Sequence, residues 1–234
     1  MTRPAADTRT RRSRGAVDAG ALVAESNHRI ANNLSVIAGM VRLYASQISS
    51  RQTTTSSRRV RLMLEEIAVR IDTVGRLHRL LSDERAGEEF EIADYLREIT
   101  SAVSDSLSFA GRMEVSHAFA TGCWVRPEQA ISIGLIVSEA ITNSIKYAHP
   151  TGRMVKITVG CHCPKPGLVA IDVADDGVGL PRGFDPRRSG GLGFRLIRSF
   201  ARQLGAELRF ERGDPGLRFH MFVPTASAPR KRRR

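Results

Sequence analysis

The sequence predicts an α+β protein in two parts, an antiparallel helical hairpin followed by a sandwich of helices on a mixed β-sheet. In the first third of the chain, apolar residues recur at alternating intervals of four and three, which is the spacing of a buried helical seam. The remainder interleaves β-branched strands with amphipathic helices but lacks strict βαβ alternation. That pattern favours helices packed on one face of a mixed sheet.

The composition divides the chain into four zones. We expect a disordered basic leader at 1–16, a helical hairpin at 17–85, an α/β domain at 86–225 and a basic tail at 226–234. The net charge of +12 lies mainly in the two ends, which carry +4 over residues 1–14 and +5 over 226–234. Since the body is nearly balanced, we expect solvated tails and no specific nucleic-acid partner. Contact of the tails with an acidic partner, lipid or nucleic acid is the alternative.

The longest weakly polar stretch, Ala130–Ile141, contains Glu139 and is too short to span a bilayer. The basic leader lacks the apolar centre of a signal peptide. We therefore expect no transmembrane segment and a cytoplasmic location.

The three cysteines, Cys123, Cys161 and Cys163, are few and odd in number, which fits a reducing compartment. Cys161-His162-Cys163 suggests a metal, but it lacks a second ligand pair at zinc spacing. Alternation along a strand would also place His162 opposite the two cysteines. We favour ordinary strand residues.

Two seams define the predicted hairpin. The first comprises Ile30, Leu34, Ile37, Val41, Tyr44 and Ile48, and the second comprises Val60, Leu64, Ile67, Ile71, Val74, His78 and Leu81. The polar run at 49–57 can turn the chain, so the two helices become antiparallel neighbours. Two such helices cover little of each other's seam. A second hairpin would close a four-helix bundle, so the pattern predicts a homodimer.

The α/β zone has eight predicted elements. Helices are expected at Asp94–Leu107, Pro127–Ala148 and Leu192–Leu204, the last ended by Gly205. Strands are expected at Met113–Phe119, Val155–Val159, Leu168–Val173, Leu208–Phe210 and Leu217–Val223.

His28 lies two residues before the seam residue Ile30 and so faces outward from the predicted bundle. A neutral imidazole there is an accessible nucleophile. Glu25 and Asn32 share its helical face, and a carboxylate could orient the ring or accept its proton. Taken alone, a surface histidine is usually only a surface residue, so its role depends on the rest of the chain.

A polar line follows one face of the predicted helix at Pro127–Ala148. Glu139, Asn143 and Lys146 are spaced at i, i+4 and i+7. A carboxylate, an amide and an ammonium in line can hold a hydrated magnesium ion and phosphate oxygens. The alternative is the polar edge of an amphipathic helix.

Asp175-Asp176-Gly177-Val178-Gly179 follows a predicted strand. A carboxylate at a strand end can accept a hydrogen bond from an exocyclic amine such as that of adenine. The glycines permit close backbone approach to a ligand. A plain Asp-Gly turn is the competing interpretation.

Ser189-Gly190-Gly191-Leu192-Gly193 leads directly into a helix. Free backbone N–H groups and the positive end of a helix dipole suit phosphate. The glycine spacing is neither the dinucleotide fingerprint nor a P-loop.

The combination resembles sensor histidine kinases, in particular those whose acceptor box reads H-R-x-x-N-N-L, which here is His28-Arg29-Ile30-Ala31-Asn32-Asn33-Leu34. The second half resembles a GHKL-type ATPase domain. The resemblance covers residues from about 20 to 224.

The resemblance implies ATP and Mg²⁺ as cofactors and assigns site residues. Asn143 would coordinate the magnesium ion, and Glu139 would order it or its water. Lys146 would meet a phosphate, and Asp175 would read the adenine amine. The glycines around these residues would shape the pocket: Gly177 and Gly179 on the adenine side, and Gly191 and Gly193 together with Leu192 on the phosphate side. Residues 180–189 would form a short lid.

The chain departs from the family at three positions. Arg29 follows the acceptor histidine, where many kinases have an acid, so Glu25 and Glu139 are the candidate proton acceptors. Ala31 stands where relatives often have Lys, and Leu217 stands where many have Thr. His78 lies on a seam, and we interpret it as an interfacial residue.

The resulting hypothesis is a histidine kinase that transfers phosphate from Mg-ATP to His28 and then to an aspartate of a response-regulator receiver domain. Because about 20 residues precede the hairpin, we expect no built-in sensor domain, and input would come through a partner such as a separate sensor protein, through the tails, or not at all. An ATP-independent phosphotransfer protein with a vestigial ATP domain is the alternative. A serine kinase of the anti-sigma-factor type is a further one.

Overall fold

The computed structural model describes residues 89–104 and 111–225, together with Ala38, Gly39, Val41 and Gly75. These four isolated residues are helical. Val41, a predicted seam residue, is 46% exposed in the single chain. The rest of the hairpin, including His28, Glu25 and His78, and both basic tails lie outside the described residues.

The described part of the domain contains three helices, which are α1 (Ile92–Ser104), α2 (Pro127–Tyr147) and α3 (Leu192–Leu204). It contains seven strands, which are β1 (Phe90–Glu91), β2 (Met113–Phe119), β3 (Trp124–Val125), β4 (Val155–Lys165), β5 (Leu168–Asp175), β6 (Glu207–Arg212) and β7 (Leu217–Pro224). None of the helices in these ranges is long and apolar enough to cross a membrane.

Most predicted elements are confirmed, but several bounds differ. Strand β5 runs to Asp175 rather than Val173, and β6 spans Glu207–Arg212 rather than Leu208–Phe210. Helix α1 begins at Ile92 rather than Asp94. Strand β4 runs to Lys165, beyond the predicted end at Val159, so the two later cysteines are strand residues. The short strands β1 and β3, which pair antiparallel, were not predicted because two residues are too few to show a period.

Five strands form one mixed sheet in the order β2-β4-β5-β7-β6. Strand β2 pairs parallel with β4, and the other neighbours are antiparallel. This confirms the predicted mixed sheet. One face is apolar and buried, through alternate residues such as Ile157, Ile171 and Met221. The same core receives apolar side chains of the helices, including Leu96, Ile99, Ile133, Ile136 and Leu196.

The opposite face of the sheet is polar. Ser116 and Thr158 share a hydrogen bond across the parallel pair, with 2.8 Å between the hydroxyl oxygens. His162 contacts Asp172 through Nδ1 at 3.1 Å, and His220 Nδ1 lies 2.6 Å from the same carboxylate. His162 is therefore on the outer face, as the predicted alternation along β4 requires, while Cys161 is buried.

Helix α2 carries the predicted polar line. The first turn of this helix is hydrogen-bonded to the end of strand β7. Pro127 occupies the first helical position, where a missing N–H costs no hydrogen bond. Gln129 accepts from Arg126 N through Oε1 and donates to Pro224 O through Nε2 at 2.9 Å. The end of β7 thereby anchors the start of the helix.

A second tie joins the far end of α2 to the sheet. Asp176 Oδ1 accepts a hydrogen bond from Lys156 N at 2.9 Å and lies 2.8 Å from His149 Nε2. Burial alone would raise the pKa of Asp176, but these hydrogen bonds and the adjacent imidazole hold the pKa below its ordinary value. The ionised carboxylate thus links β4, the loop after α2 and the loop after β5.

We predict that Asp176→Asn lowers the free energy of unfolding at pH 7 by about 1 kcal/mol. Because the folded-state pKa is depressed, the stabilisation is complete above the unfolded pKa, near 3.8, and is lost as the pH falls through the lower folded value. The variant should therefore lose less stability than the parent on acidification through this range. Urea unfolding at a series of pH values measures it.

The control is Glu114→Gln, which removes an exposed carboxylate 3.8 Å from Lys156 Nζ. An exposed pair of this kind contributes little. If Asp176→Asn keeps the acid dependence of the parent, the carboxylate does not make this contribution.

Candidate functional site

A cavity of about 500 Å³ opens between the end of α2, the start of α3 and the loop that joins β5 to α3. This volume is typical of small-molecule sites. The cavity brings together eight of the predicted site residues: Glu139, Asn143, Lys146, Asp175, Gly179, Gly191, Leu192 and Gly193.

Asp175 ends β5 and is 9% exposed. Its Oδ1 accepts hydrogen bonds from Gly177 N at 3.0 Å and Leu217 N at 3.2 Å, and its Oδ2 accepts from Ser144 Oγ at 2.8 Å. Three donors therefore fix the carboxylate, and each oxygen has more than one lone pair. It can accept a further hydrogen bond from an amine in the cavity.

Gly216 permits this arrangement, although the sequence did not single it out as a site residue. A Cβ at Gly216 would lie 1.7 Å from the backbone oxygen of Asp175, and its φ of +95° favours glycine. Leu217, where relatives often have Thr, lines the cavity and donates its backbone N–H to Asp175. Leu217 therefore offers the cavity an apolar side chain in place of a hydroxyl, while its backbone N–H still contacts the Asp175 carboxylate.

The cavity also brings Glu139 and Asn143 close to the start of α3. A Cβ at Gly193 would lie 2.9 Å from Glu139 Oε2 and 3.3 Å from Asn143 Oδ1. Glu139 is 4% exposed, whereas Lys146 lies on the exposed rim. Among the described residues, no three His, Cys, Asp or Glu side chains cluster as a metal site. A metal held by this oxygen pair would take its remaining ligands from water and phosphate, as Mg²⁺ does.

The glycine-rich turn presents the N-terminus of α3 to the cavity. Gly191 is the N-cap residue and makes no side-chain capping bond. The first N–H groups of a helix lack intrahelical partners, which makes this end suited to an anion. Gly190 has a φ of +104°, and a Cβ there would clash with the Phe194 ring. The backbone thus requires glycine at position 190, whereas a Cβ at Gly191 would meet open space.

The two glycines after Asp175 differ in position. Gly179 lines the cavity with a φ of +71°. Gly177 is buried and does not line the cavity; a Cβ there would lie 2.4 Å from Cα and Cβ of Ala148. Its small size lets the loop pack on the end of α2, and the N–H of the following Val178 donates to Ala148 O.

A row of phenylalanines, which sequence reasoning missed, lines one wall of the cavity. Phe184, Phe194, Phe210 and Phe219 contact in succession, with ring centroids 5.3, 5.9 and 5.2 Å apart. They come from the loop, α3, β6 and β7. No local spacing relates them, so only the fold brings them together. Flat apolar surface of this kind suits a heterocyclic base or ribose.

The predicted lid, residues 180–189, is fastened to α3 by Arg198. Its Nη1 donates to Pro186 O and to Ser189 O, both at 2.8 Å. Burial and the neighbouring Arg202 and Arg195 lower the pKa of Arg198, which remains charged at neutral pH. The sequence offered no signal for this contact, since Arg198 lies on a helix rich in arginine.

Comparison with known proteins bears on both halves of the chain. Residues 25–107 match the family model described as "Histidine kinase", and residues 128–227 match "Histidine kinase-, DNA gyrase B-, and HSP90-like ATPase". The first match contains His28 and the second contains every predicted residue of the cavity. The chain belongs to the histidine kinase family.

Curated relatives in this family are similar over most of the chain. A blue-light-activated histidine kinase 2 of Erythrobacter litoralis is 29% identical over 204 residues, which is 86% of this chain and 56% of the relative. Sensor histidine kinase PdtaS of Mycobacterium tuberculosis is 26% identical over 190 residues, which is 81% of this chain and 36% of the relative. The chain thus spans about half or less of these relatives.

A solved blue-light activated histidine kinase of Erythrobacter litoralis has the same fold. The TM-score is 0.66 at 24% identity, covering 83% of this chain and 59% of that one. With the family match, this confirms an α+β chain with a GHKL-type ATPase domain and implies that the cavity binds ATP.

For this histidine kinase, we predict that Arg198→Ala loosens the lid. Removing both hydrogen bonds should raise the rate of tryptic cleavage after Arg187 or Arg188 roughly tenfold, because each bond contributes on the order of 1 kcal/mol. Mass spectrometry of limited digests measures the rate at these exposed sites.

Arg202→Ala is the matched control, because Arg202 lies one turn later on the same helix and is exposed. Equal cleavage of the two variants would show that Arg198 does not hold the lid.

Proposed function

We propose that this protein is an ATP-dependent kinase that phosphorylates His28 and passes the phosphoryl group to an aspartate of a response-regulator receiver domain. One observation carries the proposal. A fixed acceptor, Asp175, and an oxygen pair beside a helix N-terminus line one cavity. The histidine kinase match over 25–107, which includes His28, supplies a phosphoacceptor for such a site.

Asp175 would select adenine. Its carboxylate is held by Ser144, Gly177 and Leu217, so it cannot rotate away from the cavity without breaking these bonds. An exocyclic amine donates to a carboxylate, whereas a carbonyl at the same position would be repelled. The site therefore favours adenine over guanine.

The phosphates would lie between Lys146 and the start of α3. The ammonium and the N–H groups after Gly191 attract negative charge from two sides. The oxygen donors of Glu139 and Asn143, set against the Cβ-free face of Gly193, fit a magnesium ion. When bound, that ion would neutralise charge on the phosphates.

The imidazole of His28 would act as the nucleophile. A neutral ring nitrogen forms a bond to the γ-phosphorus while the bond to the β-phosphate oxygen breaks and ADP leaves. The ring proton then passes to a base. Arg29 cannot accept it, so Glu25 and Glu139 are the candidates within this sequence.

The assembly follows from the same proposal. Residues 17–85 would form the dimerising and phosphotransfer hairpin, and 86–225 would form the ATP-binding domain. The homodimer would bury seam residues such as Val41, which is 46% exposed in the single chain. A response-regulator receiver domain would be the acceptor partner, and a separate sensor protein a candidate source of input.

We predict that the protein incorporates label from γ-labelled ATP with Mg²⁺ and that His28→Ala abolishes incorporation. Asn143→Ala should reduce incorporation at least ~10²-fold, because an oxygen ligand is lost where charge is transferred. Phosphohistidine is labile in acid, so the label should survive alkali and be lost in acid. Filter binding with both treatments measures this.

Glu128→Gln, at the exposed start of the same helix α2, is the matched control and should label normally. Normal labelling of His28→Ala would overturn the assignment of His28, and an acid-stable label would favour a serine kinase. Absence of Mg-ATP binding, with transfer from a phosphorylated receiver intact, would favour the ATP-independent phosphotransfer protein.

A further inference from the structure

All three cysteines of the chain lie together at one end of strand β4. Cys161 and Cys163 are on the strand, and Cys123 directly precedes β3. None of the three lines the nucleotide cavity, so the cluster is separate from the proposed kinase site.

The sheet brings Cys123 to this place. Strand β2 pairs with β4 as far as Phe119, opposite Cys161. Beyond that point β4 continues to Lys165. The segment that follows β2 turns at Gly122, whose φ is +83°. Ala120 N donates to Cys161 O at 2.8 Å and holds the turn against the strand.

The geometry joins Cys163 to Cys123. Their Sγ atoms are 3.5 Å apart, and Cys163 Sγ also donates to Gly122 O at 3.2 Å. Cys123 O accepts from Ile92 N at 2.9 Å, so its backbone is fixed. A disulfide has sulfurs about 2.05 Å apart, so the two thiols need to approach by roughly 1.5 Å.

The two thiols differ in access to solvent. Cys163 is exposed, whereas Cys123 is fully buried. Burial, reinforced by the neighbouring thiols, raises the pKa of Cys123 far above its ordinary value. An oxidant from solvent therefore meets Cys163 first, with Cys123 in place behind it.

We propose that Cys163 and Cys123 are a redox modification site, at which a hydroperoxide converts the pair into an intrachain disulfide. The Cys163 thiol releases its proton, its sulfur attacks one peroxide oxygen and the O–O bond breaks, which gives a sulfenic acid and a hydroxide that takes up the released proton as water. The Cys123 sulfur then displaces the hydroxyl group, which leaves as water with the Cys123 proton. Two thiols and one hydrogen peroxide thus give one disulfide and two waters.

Cys161 serves as the internal comparison. Its thiol also shares a hydrogen bond with Cys123, but it is 1% exposed and burial raises its pKa, so it is shielded from the oxidant. Cys161 lies two residues from Cys163 on strand β4. A disulfide between these two residues would distort the pairing of β4 with β2 and β5.

The experiment treats the full chain with hydrogen peroxide, alkylates the remaining thiols after denaturation and maps peptides without reduction. The parent should yield a linked Cys123–Cys163 peptide and one alkylated thiol, that of Cys161. Cys161→Ser should form the same linked peptide. In the variant Cys163→Ser, which changes an exposed residue, Cys123 and Cys161 should both remain open to alkylation. In the oxidised parent, dithiothreitol should restore all three thiols.

Several results would overturn the proposal. They are full alkylation of Cys123 and Cys163 after peroxide, a linked peptide that contains Cys161, a disulfide between two chains on a non-reducing gel, or oxidation of Cys163 to sulfinic acid without a linked peptide. The mapping of the parent protein decides among them without relying on the folding of any variant.

Discussion

The buried carboxylate of Asp175 holds the ATP-binding domain together at the point where three elements meet. A carboxylate this far from water is costly unless it is hydrogen-bonded. Ser144 of α2, Gly177 of the loop after β5 and Leu217 at the start of β7 supply those bonds. The need to satisfy one charge therefore fixes the helix, the loop and the last hairpin relative to the sheet. The same charge is what the cavity offers to a base.

The oxygen pair of the cavity depends on the absence of a side chain rather than on a hydrogen bond. Gly193 lets the start of α3 approach the oxygens of Glu139 and Asn143, which a Cβ would push away. Four phenylalanines form an apolar wall of the same cavity. The site thus consists of an acceptor, an apolar wall, an oxygen pair and a helix N-terminus, on rigid elements and under a loop that Arg198 fastens.

Sequence reasoning succeeded where the signal was long or local. The period along α2 placed Glu139, Asn143 and Lys146 on one face, and all three line the cavity. Gly205 in the left-handed conformation ends α3 as expected. The paired strands β1 and β3 were missed because they have two residues each. The phenylalanine wall and the contact between Cys123 and Cys163 were missed because each joins residues far apart in sequence. The Arg198 contact was missed because nothing local distinguishes this residue from the other arginines of α3. The roles of His28 and Glu25 stay predictions, since both lie outside the described residues.

The sequence by itself determined the fold class, the order of the elements in the ATP-binding domain and the residue types of a nucleotide site, because periodicity and glycine placement are local properties. The tertiary structure decided which of these residues meet. Gly177 packs on the end of α2 instead of lining the cavity, and Gly216 proves indispensable because its missing Cβ leaves room for the Asp175 backbone. Such close approaches depend on the register between strands and on the position of helices over the sheet. Those are set by packing of the whole core, which no single stretch of sequence encodes.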